Sequence, residues 1–541
     1  MNTTPRSALL LLALLVAPAA VAKPAKLALI ITVDALSSDV LLRARPYLRG
    51  GLAELLKEGA YFPYARYEYA LPMTAAGHTT LSSGANPWRH GIVTNKLYSR
   101  STGKMERAFA DANHPVLDAP LGPDDVSPEN ILAETLADRL RMFTQGRGKA
   151  IAISEKARGA IPLAGRLGQA FWFNASVGRF VTGTFFAKET PAWLKAFNER
   201  KFPDAYFGKE WTPLLPEKAY SGEDDRPFER PLFALGRAFP HPLTGGLTQL
   251  GPPFYQALAN TPMMNEIVVQ AARAALEAES LGRDDQPDLL AVSFSALDRV
   301  YHQFGPYSHE VQDTLFRLDR LVGELVTAAE RAAGGKSNIV VVLAADHGGA
   351  PIPEEVSSAG MSATRLDMPK LLQALSRELT SKHGFDAVLG SEGGNLYLNT
   401  RLLAEKGADA AAVRKTAAAF LRSQPGVAAI GTREEIYGGQ DPSGFGRALR
   451  LGFNAERSGD IILIPKPYVV LGEDEAATAH GAPYGYDQLV PLVFYGAGIR
   501  AGMHYAEAHP TDVAPTVSAA LGMTPPAGAE GIIRPEVLPS R

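Results

Sequence analysis

The chain contains no cysteine. Disulfides, thiol nucleophiles and thiolate metal ligands are therefore excluded together, and any zinc must be held by His, Asp or Glu. A charge excess is missing too. Lys and Arg number 54 against 57 Asp and Glu, a formal net charge of -3, with the signs mixed along the chain. A nucleic-acid footprint needs a basic patch or stripe, so no nucleic-acid partner is expected. Beyond the N-terminus there is no apolar run of the about 20 residues that a membrane span takes, and stable membrane insertion is not expected. Internal repeats and low-complexity linkers are lacking as well. What remains is the composition of a globular enzyme: 541 residues, 46% hydrophobic and 21% charged, enough for a large core.

The first residues have the order of a secretory leader. Arg6 supplies a positive charge, residues 8–17 form an apolar run, and Ala20-Val21-Ala22 offers a small-residue cleavage site. A Sec-type signal peptide over 1–22, cleaved after Ala22, is expected to send the mature protein to the periplasm or the medium.

Continuous apolar runs mark strands buried on both faces of a parallel sheet, at residues 27–33, 288–294 and 339–345. A fourth, 489–495, carries Pro491, which favours an edge position. Helical spacing is clear over residues 310–333, stopped by Gly334-Gly335, and over 129–142. Alternating strands and helices predict an α/β core, a mostly parallel sheet with helices on both faces. Two stretches break the rhythm and are read as inserted cap regions. The expected organisation is core in 23–175, a cap insertion in 176–285, core in 286–360, a second insertion in 361–470, and core in 471–541.

The three strand runs lead into aspartates: Asp34, then Ser295-Ala296-Leu297-Asp298, then Asp346. Ligands bind at the carboxyl ends of strands in an open parallel sheet. Three carboxylates gathered there repel one another unless cations lie among them. Histidines accompany them. Asp298 and His302 have the spacing of one helix face, His347 follows Asp346, and His480 lies in a loop rich in Ala, Gly and Pro. Three imidazoles and three carboxylates can form two zinc sites with open positions. Thr74 precedes a small-residue turn and a helix-like stretch, where its hydroxyl would benefit from the positive end of the helix dipole. A Thr in such a place also suits a simple helix cap. Coordination to zinc would lower its pKa and make it a nucleophile.

Thr74-x-x-x-His78, followed by Ser83-Gly84-x-x-Pro87-x-x-His90-Gly91-Ile92-x-x-Asn95, resembles the nucleophile region of the alkaline phosphatase superfamily. The likeness extends to the nucleotide pyrophosphatase/phosphodiesterases and the phosphate-irrepressible, PafA-like alkaline phosphatases. Asp34, Asp298-x-x-x-His302, Asp346-His347 and His480-Gly481 occur in that family's order. The resemblance implies an alkaline-phosphatase-like fold, two zinc ions per chain, and Thr74 as a transiently phosphorylated nucleophile. It assigns one zinc to Asp298, His302 and His480, and the other to Asp34, Asp346, His347 and the Thr74 oxygen. It makes Asn95 a phosphate contact, leaves His78 and His90 as structural residues, and implies a monomer.

Lys156-Ala157-Arg158 follows the apolar stretch 150–153. An alternating conformation there would turn both cations to one side. The segment is similar to the Lys-x-Arg phosphate clamp of the PafA-like branch. Two features depart from that pattern: Ala157 stands where an Asp is usual, and Tyr301 where a Gly often precedes the metal His. A clamp of two cations suits the three nonbridging oxygens of a monoester. The expected activity is zinc-dependent hydrolysis of phosphate monoesters through a phosphothreonine, with inorganic phosphate as product. The alternative on the same core is a phosphodiesterase or nucleotide pyrophosphatase. A sulfatase is disfavoured because there is no Cys and no Ser-x-Pro-x-Arg. A phosphoglycerate mutase is disfavoured by the Thr nucleophile and the leader, and a non-catalytic binding protein by the complete set of ligands.

Overall fold

The computed structural model describes residues 23–99, 102–120, 126–439, 443–472 and 476–538. The expected leader and its cleavage site lie outside the described residues. Thirteen strands carry the discussion. In chain order they are β1 (Leu27–Val33), β2 (Ala60–Arg66), β3 (Ala150–Ser154), β4 (Gln169–Asn174), β5 (Arg179–Val181), β6 (Asp288–Phe294), β7 (Ile339–Ala344), β8 (Val388–Glu392), β9 (Asn395–Leu398), β10 (Val427–Thr432), β11 (Ile461–Pro465), β12 (Leu489–Gly496) and β13 (Gly502–Met503). The helices that matter here are α1 (Thr74–Ser83), α2 (Ala157–Ala164), α3 (Met263–Ala278), α4 (Ala296–Phe304) and α5 (His309–Ala333).

Nine strands form one sheet in the order β13-β2-β12-β7-β1-β6-β3-β4-β5. Its centre is parallel: β1 pairs with both β6 and β7, β6 with β3, and β3 with β4. Every residue of β1, β6 and β7 is buried. Successive side chains point to opposite faces, so helices must cover both. This is the mostly parallel α/β sheet expected. Val33 is level with Phe294, and Thr32 with Ala344, so the three central strands end together.

α5 begins at Ser308, whose side chain accepts from the Val311 amide, and ends at the left-handed Gly334. Val311, Leu315, Leu318, Leu321, Val322 and Leu325 are all buried, as the helical spacing requires.

Two local expectations are corrected. The helix read over 129–142 begins only at Leu136, because Thr135 and Asp138 close a capping box there. Ile131 is buried without being helical. Pro491 is not on an edge: β12 lies between β7 and β2 and is antiparallel to both. The missing N–H is tolerated because the pairing with β2 shifts register between Val490 and Leu492. Pairing with β7 starts only at Val493. A bulge is the other place where a strand accepts proline.

Residues 388–465 hold a second sheet, β8-β9-β11-β10, antiparallel throughout. The hairpin β8–β9 turns at Gly393-Gly394, with Gly393 at φ 54°. A side chain on Gly394 would stand 2.3 Å from the Leu463 carbonyl oxygen and 3.0 Å from Leu71 Cδ2. Ala70 and Leu71 share an apolar cluster with Ala429, Ile436, Leu449, Ile462 and Ile464. The small sheet thus packs on the segment that leads into Thr74.

Candidate active site

The aligned ends of β1, β6 and β7 deliver the three aspartates. Asp34 directly follows β1, and its amide bonds the Phe294 carbonyl. Asp298 lies in the first turn of α4. Asp346 follows β7, and its Oδ1 accepts from the Ala35 and His347 amides at 3.2 and 3.1 Å. The ligand atoms fall into two groups, each within 4.8 Å: Asp34, Asp346 and His347, and Asp298, His302 and His480. The first group is fully buried, whereas His302 and His480 are partly exposed. The six residues are the ones that the resemblance, Thr74 aside, assigns to the two zincs.

Each histidine is oriented from behind. His347 Nδ1 lies 2.8 Å from the Gly348 carbonyl, His302 Nδ1 2.9 Å from that of Thr478, and His480 Nδ1 3.2 Å from that of Pro72. With Nδ1–H donated to a carbonyl, Nε2 is the lone-pair nitrogen and faces the carboxylates. His347 Nε2 is 3.4 Å from Asp34 Oδ1, and His302 Nε2 is 3.2 Å from Asp298 Oδ1. Both of those oxygens are buried and without a hydrogen bond among the described residues. Burial, and then the Asp298 and Asp346 charges, push the Asp34 carboxyl up to about 7. Burial pushes Asp298 up as well, but Lys156 and His302 outweigh it and hold Asp298 well below the usual range. Lys156 Nζ is 2.6 Å from Asp34 Oδ2 and also bonds Asp298 Oδ2, so an ammonium sits between the two groups. Orphaned acceptors, directed Nε2 atoms and a cation between carboxylates all fit a pair of metal ions.

Thr74 is the first residue of α1, and Met73, without a side-chain cap, precedes it in extended conformation. Thr74 is therefore not the cap. Its hydroxyl is nearly inaccessible and lies 3.4 Å from His347 Nε2, against the buried group. A side chain on Gly77 would meet the Asp346 carbonyl oxygen at 2.1 Å, so only glycine lets α1 approach this closely. The Ala75 amide donates to Asn95 Oδ1 at 3.0 Å. This fixes the carboxamide oxygen of Asn95 as an acceptor from the first turn of α1.

His78 is buried, with Nδ1 2.9 Å from the Thr74 carbonyl oxygen and 3.1 Å from Asp346 Oδ2, and Nε2 2.8 Å from Ser293 Oγ. It stands behind Asp346. His90 contacts Thr80 and the Ile92 amide, away from both groups, and burial pushes it down to about 3.

The alternating conformation expected for Lys156-Ala157-Arg158 is not what the chain adopts. Lys156 is extended, but Ala157 opens α2, which places Arg158 on its first turn. Both cations line one cavity beside the carboxylates, to which Lys156 turns.

Tyr301 is explained by its surroundings. Its hydroxyl donates to the Ala350 carbonyl and lies 3.0 Å from the Ala479 carbonyl oxygen. It thus ties the loop after His347 to the loop before His480. A side chain on Gly349 would stand 2.2 Å from its ring. Asp487 braces the same loops from another direction: its carboxylate accepts from the Gly481 and Ala482 amides, and its carbonyl from the Gly348 amide. Neither brace is announced by a local motif. His78 had a signal, since it lies one helical turn from Thr74.

Residues 28–487 match the Type I phosphodiesterase / nucleotide pyrophosphatase family. The chain belongs to that family and, within it, groups with the PafA-type alkaline phosphatases. It is 32% identical over 523 residues to alkaline phosphatase PafA of Elizabethkingia meningoseptica, covering 95% of this chain and 94% of that protein. It is 31% identical over 537 residues to alkaline phosphatase PhoV of Synechococcus elongatus, covering 96% and 94%. The crystal structure of wild-type PafA superposes with a TM-score of 0.90 at 30% identity, covering 96% of this chain and all of that one.

Proposed function

We propose that the protein is an exported alkaline phosphatase that hydrolyses phosphate monoesters through a phosphothreonine on Thr74. The observation that carries this reading is the Thr74 hydroxyl, 3.4 Å from His347 Nε2 at the start of a helix that no side chain caps. Two zinc ions, one held by Asp34, Asp346, His347 and the Thr74 oxygen and one by Asp298, His302 and His480, would offset the carboxylate charge, acidify the attacking hydroxyl and stabilise the leaving alkoxide. Thr74 attacks phosphorus in line, the alcohol departs on the opposite side, and water then displaces the phosphate from Thr74. The helix dipole behind Thr74, the Asn95 amino group, Lys156 and Arg158 stabilise charge on the nonbridging oxygens. His78 and Tyr301 keep the ligand-bearing segments in place. Export rests on the leader read from the sequence. Among the described residues no helix is long and apolar enough to cross a membrane.

The family match also admits a diester reading. The close alkaline phosphatase relatives and the cations at Lys156 and Arg158 favour monoesters. The test compares Thr74→Ala with wild type on phenyl phosphate and its methyl diester. The variant should form no phosphoenzyme and lose turnover on both. Normal turnover would overturn the nucleophile assignment, and a wild-type preference for the diester would overturn the monoesterase reading.

A further inference from the structure

Beside the two ligand groups lies a cavity of 360 Å³, of which the proposed chemistry uses only the side formed by Lys156 and Arg158. Lys156 and Arg158 form its inner side, Trp172 and Phe173 one wall, and Phe233 and Asn260 of the 176–285 region another. Because Lys156 bonds both Asp34 and Asp298, this space adjoins the reaction centre directly. Its volume falls in the usual range for small-molecule sites of about 300–1,000 Å³.

The charge of the lining is one-sided. Arg107, Lys156, Arg158 and Arg299 face it, Lys156 being held by Asp34 and Asp298, and Glu155 is the single carboxylate of the lining among the described residues. Glu155 is already engaged, accepting from an Arg299 terminal nitrogen at 2.9 Å. The Nε atoms of Arg158 and Arg299 are buried and have no hydrogen-bond acceptor among the described residues; the transferred phosphoryl group would supply one to Arg158, which leaves Arg299. A guanidinium N–H without an acceptor is a costly thing to bury. The Asp298 and Asp34 charges reach Arg299, which places it close to the metal groups as well as in the cavity.

We infer that this cavity is the leaving-group subsite and that it selects phosphomonoesters whose alcohol carries a second anion, a carboxylate or another phosphoryl group. The inference rests on the monoesterase reading. The aromatic side chains take the carbon skeleton, and the Arg299 guanidinium, with Arg107 also in the lining, bonds the distal anion.

The test uses the zinc-loaded full-length mature enzyme at low ionic strength. Two matched pairs are compared: 4-carboxyphenyl with 4-carbamoylphenyl phosphate, and hexane-1,6-diol bisphosphate with its monophosphate. Charge-assisted hydrogen bonds of ordinary strength predict a kcat/KM advantage of about tenfold or more for the anionic member. The pair with the larger ratio identifies the anion. The ratio should fall towards one in Arg299→Gln and in Arg107→Gln, and in wild type as salt is added, while the carbamoyl substrate is still turned over. Ratios near one for both pairs in wild type, or ratios unchanged in both variants, overturn the subsite. If Arg299→Gln does not fold, Arg107→Gln and the salt series decide. Failure to hydrolyse any of the four substrates overturns the phosphatase reading itself, a result distinct from equal rates.

Discussion

The two ligand groups use the same residue types in inverse proportion, two carboxylates with one imidazole against one carboxylate with two, and their surroundings differ as well. Asp34, Asp346 and His347 are sealed, with Thr74 against them and His78 behind Asp346. Asp298, His302 and His480 are half-open, and two of the three hang on loop carbonyls at Thr478 and Pro72. In the double displacement proposed above, the Thr74 side would have to exclude water until the ester is bound, whereas the other side would have to release an alcohol and admit water. The difference in burial is the one this division of labour asks for.

Breaking the sealed group should have the largest effect. In His347→Ala, activity is expected to disappear at any zinc concentration, because the space it leaves is buried and no solvent ligand can enter. In His302→Ala a water can take the vacated position, so excess zinc should restore part of the activity. Titration of both variants with zinc, read as kcat and as bound metal, checks this. Equal rescue of the two would remove the functional meaning of the burial difference. Removal of metal by a chelator sharpens the same point. Loss should occur in two phases, the half-open group first, with metal content followed against residual activity. A single phase would mean that the groups empty as one unit.

Effects on the supporting residues should be smaller. His78→Gln removes the group behind Asp346, and loss of such a partner costs about 10–100-fold in metal affinity or activity. Tyr301→Phe keeps the ring against Gly349 but drops the hydroxyl that joins the His347 and His480 loops. The expected result is faster metal loss with KM for phenyl phosphate little changed and kcat down a few fold. A change in Tm with no change in metal loss would reduce Tyr301 to a packing residue.

What could be read without coordinates follows the same division. The central strands were legible because β1, β6 and β7 are buried on both faces and therefore uniformly apolar, and their ends then located Asp34, Asp298 and Asp346. Pro491 misled because edge or interior is a property of pairing partners, and the bulge beside it leaves no mark in the strand's own residues. The break at Thr135 was legible only through its capping box with Asp138, which the apolar spacing of 129–142 overrode. Lys156-Ala157-Arg158 could be read as a cationic segment, but whether it alternates depends on where α2 starts. The Tyr301 brace and the Arg299–Glu155 pair join residues distant in sequence, so only the fold assembles them.

The smallest expected effect separates the groups by stability alone, in protein freed of metal. Asp34 is pushed up to about 7 by burial and its two neighbouring carboxylates, from 3.8 in an unfolded chain. Between about pH 4 and 7 the folded state therefore binds the extra proton, and this carboxyl's contribution to stability is lost as pH rises through that window. Asp298 has the opposite sign. Lys156 and His302 hold it well below 3.8, so its contribution is present above that value and lost as pH falls below it. In chelator at pH 8, Asp34→Asn should raise the Tm, and at pH 4 it should leave it unchanged. Both substitutions strip the buried Lys156 ammonium of one carboxylate, but at Asp34 burial and repulsion outweigh that bond, whereas at Asp298 the neighbouring cations outweigh burial, so Asp298→Asn should lower the Tm at pH 8. Thermal unfolding of the two variants at both pH values decides the matter. Shifts of the same sign at pH 8 would show that mutual repulsion is spread evenly over the three aspartates and is not concentrated in the sealed group beside Thr74.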